Sequence, residues 1–181
     1  MLDISIRETE LWDALAEEFI YVKAQTIRLE HSLVSISKWE SKWHKPFLNK
    51  TEKTMEETID YIKCMTITQN VDDNVYRCLS NENFEKINQY IDDPMTATVF
   101  SNTGSSKGNN GEQITADLIY YWMIALNIPF ECQRWHINRL LTLIRVCNVK
   151  NQPPKKMTRK EIMQRNAILN EERKKRLNSK G

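Results

Sequence analysis

Two side chains stand where metal chemistry would place them. Cys132 and His136 are four residues apart, a spacing that on a helix turns a thiolate and an imidazole toward one ion, as in zinc sites. A closed site needs two further ligands, and Cys147 or His44 would supply them only through a tertiary contact. Hydrolytic and phosphate-transfer signatures are missing from the sequence. It contains no G-x-S-x-G elbow and no G-x-x-x-x-G-K-[ST] loop, and the three histidines stand in no recognised catalytic setting. The glycines from Gly104 to Gly111 follow no strand pattern and precede no Lys-Ser pair, so they are not expected to cradle a phosphate. The expectation is a non-enzymatic chain with no catalytic residue, metal or cofactor.

Recognition chemistry is concentrated between Leu33 and Leu48, where Trp39, Trp43 and Phe47 follow one another at intervals of four. Large amphipathic rings at that spacing serve either as core anchors or as a recognition face. The element that positions them reads as a helix. Leu29, Leu33, Ile36, Trp39 and Trp43 recur at spacings of three and four, and Pro46 stops the run by disfavouring helical geometry at Lys45. Trp39, Trp43 and Phe47 are the candidate partner-binding residues of the body. The same pattern also suits buried rings with Lys38, Lys42 and Lys45 solvated around them.

Other helices announce themselves through caps. Thr54 and Glu57 form a capping-box pattern ahead of Met55, Ile59, Ile62 and Met65. Ser80 or Asn81 can cap a helix carrying Phe84, Ile87 and Ile91, which Asp92-Asp93-Pro94 closes. Met95 to Phe100 suits a short extended segment, and residues 101–111 read as a flexible polar loop. Ile114 to Leu126 is apolar on nearly every side and reads as a central helix. Together with the stretch from Glu131 to Cys147 it is expected to form an antiparallel helical hairpin over about 112–147. The predicted fold is mainly α, a bundle-like single domain over residues 1–152 followed by a basic helical tail over 153–181.

The net charge of +2 hides an uneven distribution. From Lys150 to Gly181 there are 11 Lys or Arg against 3 Glu, whereas residues 1–149 carry 15 basic and 21 acidic side chains. An acidic body with a basic end suits a chain whose end meets an acidic partner. Asn151-Gln152-Pro153-Pro154 is a stiff linker, and Thr158 with Glu161 can cap a helix from about Arg159 to Leu177. Its apolar set, Ile162, Met163, Ile168, Leu169 and Leu177, is thin, so the helix is expected to order against a partner. Lys155, Lys156, Arg159, Lys160, Arg173, Lys174, Lys175 and Arg176 are its candidate partner-binding residues. The four cysteines contain no C-x-x-C pair and are expected as free thiols. No run approaches the roughly 20 apolar residues of a membrane span, and the first residues lack the pattern of a signal peptide. A cytoplasmic location without membrane partners is expected.

The order of several motifs resembles a family of tailed-bacteriophage morphogenesis proteins, the tail assembly chaperones encoded beside the tape measure protein. The resemblance is carried by Leu29-Glu30-His31-Ser32-Leu33, Ser37 to Trp43 (SKWESKW), Asp60 to Thr66 (DYIKCMT), Pro94 to Thr98 (PMTAT) and Tyr120 to Leu126 (YYWMIAL). It runs nearly the whole chain, through Leu169 to Arg173 and Ser179 to Gly181. It implies a binding protein in the host cell cytoplasm whose partner is the tape measure protein or another tail protein, with self-association possible. It brings no catalytic residues. The alternatives are a permanent virion component, such as a head-to-tail connector subunit, and a nucleic-acid-binding protein acting through its basic tail.

Overall fold

Leu2, Ile4 and Ile6 alternate with Asp3 and Ser5, and Ile27 and Leu29 alternate with Thr26 and Arg28. A period of two gives a strand one apolar face. The computed structural model describes residues 1–13, 17–49, 51–100, 113–152 and 158–177. In it these segments are β1 (Leu2–Ile6) and β4 (Gln25–Leu29), antiparallel, with Ile4 opposite Ile27. Ile4, Ile6, Ile27 and Leu29 are buried, while on the outer face Arg28 pairs with Asp3 at 2.7 Å. Between them β2 (Thr9–Asp13) and β3 (Glu18–Val22) form a second two-stranded antiparallel sheet.

The mainly α, bundle-like expectation is thereby corrected. Among the described residues, seven α-helices and one 3-10 helix accompany two small antiparallel sheets, a mixed α/β fold. Leu29 is in phase with both an alternating strand and the helix that follows, and long-range pairing decides between them. It bridges to Thr66, and the Glu30 amide donates to the Met65 carbonyl at 2.8 Å.

The first helix, α1 (Leu33–Trp43), therefore starts after the strand. The Ser35 hydroxyl accepts from the Ser32 amide at 3.0 Å, which closes the N-terminal turn. At its other end His44 adopts a left-handed conformation (φ 53°) and donates its amide to the Glu40 carbonyl, so the helix ends at Trp43, three residues before Pro46. The buried side of α1 carries Leu33, Ile36 and Trp39. It packs on α2 (Met55–Met65), α5 (Ala116–Ala125) and the 3-10 helix Phe130–Arg134. Two of the caps read from sequence, at Thr54 and Ser80, are present. Thr54 Oγ1 accepts from the Glu57 amide while Glu57 Oε2 accepts from Thr54, at 3.2 and 2.8 Å. Ser80 caps α4 (Asn81–Asp92) through the Asn83 amide at 3.3 Å. A short helix, α3 (Asp73–Arg77), lies between α2 and α4. Met95 to Phe100 pairs with no strand, and the loop 101–111 lies outside the described residues.

The hairpin expected over about 112–147 is not built as such. The main helical neighbour of α5 is α1, and α5 leaves Tyr121 and Ile124 exposed, so it is not a central helix. The 3-10 helix interrupts the path to α6 (Ile137–Asn151). Trp135 is extended (φ −70°, ψ 158°), His136 bridges to Ser32, and the Ile137 amide donates to the His31 carbonyl at 2.9 Å. Pairing with a distant segment thus overrides local helical periodicity. The chain divides into two compact units, Met1–Asn148 and Val149–Gly181, the second containing α7 (Arg159–Leu177).

Trp39 is 1% exposed and its indole N–H donates to the Glu57 carbonyl at 2.9 Å. Trp39→Ala is expected to lower unfolding free energy by about 3–5 kcal/mol, the cost of an aromatic-sized cavity. Trp43 is half-buried and its indole reaches Asp60 at 2.9 Å, so Trp43→Ala should cost roughly 1–2 kcal/mol. Denaturant melts of the two variants check the order, and equal losses would contradict it.

Candidate functional site

The aromatic segment read from sequence builds a chain of rings through the core. Trp43 stacks on Trp39 at 6.1 Å between centroids, and Trp39 meets Phe47 edge-on at 5.2 Å. Phe47 stacks on Tyr61 at 3.9 Å, and Tyr61 faces His31 at 5.8 Å. His31 lies 4.9 Å from His136, which in turn meets Tyr90 at 5.0 Å. Ring pairs at these separations attract beyond the burial of their area. Lys53 closes one side, its ammonium 4.4 Å from the Phe47 centroid.

The polar atoms among these rings are all engaged. Burial drives the Tyr61 phenol well above its ordinary range, so it keeps its proton and shares a hydrogen bond with His31 Nδ1 at 2.5 Å. Burial, with the neighbouring His136 adding to it, pulls His31 down to about 3. His136 is also lowered by burial, against the opposing effect of its bond to the Tyr90 carbonyl. Its Nε2 donates to that carbonyl at 2.8 Å, which leaves Nδ1 to accept from the Asn138 amide at 3.3 Å. Asn138 Nδ2 donates to the carbonyls of Ile91 and Asp93 at 2.9 and 2.8 Å, so the end of α4 is tied to the start of α6. Among the described residues no buried side-chain nitrogen or oxygen lacks a partner.

This arrangement supports the fold and has no open valence for a ligand. Cys132 lies on the 3-10 helix while His136 precedes α6, so the two do not share a helix as their spacing suggested. Both nitrogens of His136 are in use. Among the described residues no group of three or more His, Cys, Asp or Glu side chains converges as a metal site. Burial pushes the thiols of Cys64, Cys78 and Cys132 up, opposite to what a nucleophilic thiolate requires. All four cysteines are free.

Of the residues singled out from sequence, Trp39 and Phe47 are buried and Trp43 is half-buried. The two buried rings face the core, so they offer no outward anchor. Lys155 and Lys156 lie outside the described residues. Arg159, Lys160, Arg173, Lys174, Lys175 and Arg176 are all exposed on α7, whose bounds match the helix read from the sequence. Ile162, Met163, Ile168, Leu169 and Leu177 are exposed on the same helix.

Sequence reasoning missed Trp12, Phe19 and Tyr21, which stand exposed on the β2–β3 hairpin. The run Phe19-Ile20-Tyr21-Val22, rich in aromatic and β-branched residues, was the available strand signal. No described helix is long and apolar enough to cross a membrane. Neither a protein-family model nor a curated protein nor a solved structure matches the chain.

The buried histidines make stability depend on pH. Above about 6.5, the ordinary histidine value, both folded and unfolded chains hold His31 neutral. Between that value and about 3 the unfolded chain binds a proton that the folded chain refuses, so stability falls as pH falls. Substitution His31→Gln removes that titration and is expected to flatten the decline in this window, while lowering stability near neutrality through the altered core. Urea melts at stepped pH check it. An unchanged slope in the variant would assign the acid sensitivity elsewhere.

Proposed function

We propose that this chain is a non-enzymatic assembly protein of a tailed bacteriophage, a chaperone that binds the tape measure protein while the tail is built. The family reading rests on the motif resemblance from Leu29 to Leu126 and beyond. The observation that carries a binding role is α7. Over its 19 residues, Arg159–Leu177, it exposes five large apolar side chains between seven basic and three acidic residues.

A helix in a protein draws most of its stability from packing an apolar face, and every described side chain of α7 is exposed. Apolar side chains left in solvent gain most when they enter a groove or lie along another helix, and flanking charge selects the partner. A tape measure protein is long and helical and must be kept from aggregating before the tail tube encloses it. Transient cover of its apolar stripe by such helices fits that need. Trp39 and Phe47 of the body are committed to its core and offer no competing anchor.

The run Arg173 to Arg176 favours one rival, nucleic-acid binding, because four exposed cations in succession can neutralise phosphates. Acidic excess in residues 1–149 opposes it.

Co-expression with the tape measure protein encoded beside it is expected to yield a complex that survives purification. A chain ending at Gln152 should lose it while keeping the thermal melt of the body. No co-purification across a range of salt would overturn the chaperone reading. A salt-sensitive shift of random duplex DNA, abolished by the same truncation, would favour the rival. Presence in purified particles would favour a connector subunit.

A further inference from the structure

The outer face of the β2–β3 hairpin plays no part in the core. Strand alternation sends Leu11, Ile20 and Val22 to one side, half-buried or buried, and Glu10, Trp12, Phe19 and Tyr21 to the other. On that second side Trp12, Phe19 and Tyr21 are 51%, 67% and 56% exposed. Trp12 and Phe19 are directly opposite in the register and their ring centroids are 4.9 Å apart, tilted by 59°. The Tyr21 hydroxyl donates to Glu8 at 2.9 Å and so holds a carboxylate beside the rings.

Charge around these rings has one sign. From Glu8 to Val22 the sequence has five carboxylates and no Lys or Arg; Glu8 and Glu10 stand on the ring side, while strand alternation sends Asp13 and Glu18 to the other. Arg7 and Lys23 flank the hairpin at its base. A two-stranded ribbon has no second layer in which to bury rings, and three aromatic side chains on one exposed face are more apolar surface than solubility favours.

Exposed rings bordered by carboxylates suit one kind of side chain better than others. A guanidinium lies flat on an aromatic face, attracted by its quadrupole, while its N–H donors reach a neighbouring carboxylate. A purely aliphatic partner would desolvate Glu10 without pairing it. Phosphates would be repelled.

We propose that this face binds an arginine-bearing segment of a partner protein, with Trp12 and Phe19 receiving the guanidinium plane and Glu8 and Glu10 taking its charge. The site shares no residue with α7 and stands independently of the tape measure reading.

The full chain, with its tryptophan indoles labelled for NMR, is titrated with a helical peptide carrying arginines along one face. Parallel titrations use the same peptide with lysine or with glutamate in their place. The Trp12 indole signal is expected to move, while those of Trp39, Trp43, Trp122 and Trp135 stay. The arginine peptide should bind more tightly than the lysine peptide and far more tightly than the glutamate peptide. Trp12→Ala with Phe19→Ala should weaken binding roughly tenfold. Glu8→Gln with Glu10→Gln should weaken it and reduce its salt dependence with the rings intact, so the test holds even if the ring variant disturbs the hairpin. No binding, equal binding of the glutamate peptide, or binding that leaves the Trp12 signal in place would each overturn the proposal. Because α7 is untouched in these variants, loss here leaves tape measure capture measurable on its own.

Discussion

His31 sits in the core as a neutral imidazole, and three parts of the body meet at this residue and its neighbour. Its ring shares a hydrogen bond with the Tyr61 hydroxyl of α2, its carbonyl holds the first amide of α6, and its neighbour Ser32 bridges to His136. A proton on His31 would place a cation where burial and a second histidine both oppose it. The junction also fixes the chain direction between β4 and α1, because residues 30 to 32 are pinned from both sides before the helix begins. The fold therefore converges on a polar centre whose groups satisfy one another. Such a network specifies one arrangement strongly, since any shift leaves a buried donor or acceptor without a partner.

The aromatic segment extends this centre to the edge of the body. Phe47 is carried back against Tyr61 because the chain reverses after His44, and its amide donates to Glu40 at 2.8 Å. The other oxygen of Glu40 accepts from the Ala116 amide, also at 2.8 Å, at the first residue of α5. One carboxylate thus ties the end of the tryptophan segment and the start of a distant helix to the middle of α1, with its charge favourably placed at a helix N-terminus. Glu57 works in the same way on the other side. Lys45 and the Thr54 amide hold its carboxyl below the usual carboxylate range, and its backbone carbonyl receives the Trp39 indole. The tryptophans read from sequence as anchors are anchors, but of α1 to α2.

What was legible from sequence follows from how local the deciding forces are. Thr54 with Glu57, and Ser80 ahead of Phe84, are caps whose donors and acceptors lie within three residues of each other, and those helices stand where they were read. The span Arg159–Leu177 also stands where it was read. The strands were not, because five alternating residues make a short signal and Leu29 satisfied two periodicities at once. His136 lies between the 3-10 helix and α6 because Ser32 and His31 pair with it, a contact across about a hundred residues that no local pattern encodes. The orientation of Trp39 could not be read either, since a ring stripe flanked by lysines looks the same whether the rings turn inward or outward. The basic residues of α7 were legible as a charged, exposed helix, whereas Trp12, Phe19 and Tyr21 sit on strands that the helical reading passed over.

Two surfaces remain with chemistry that the fold does not consume, and they differ in how binding would respond to solution conditions. On α7 the charges are spread along a helix with every described side chain exposed. Any attraction there acts through high-dielectric water and is screened within about 10 Å at ordinary salt. On the hairpin, rings stand beside the carboxylates, so an approaching guanidinium would shed water against the aromatic faces as it meets its counter-charge. Desolvation strengthens that pairing and makes it less sensitive to salt than a fully exposed ion pair. Capture through α7 should accordingly be fast and adjustable, while contact through the hairpin should discriminate by side-chain type.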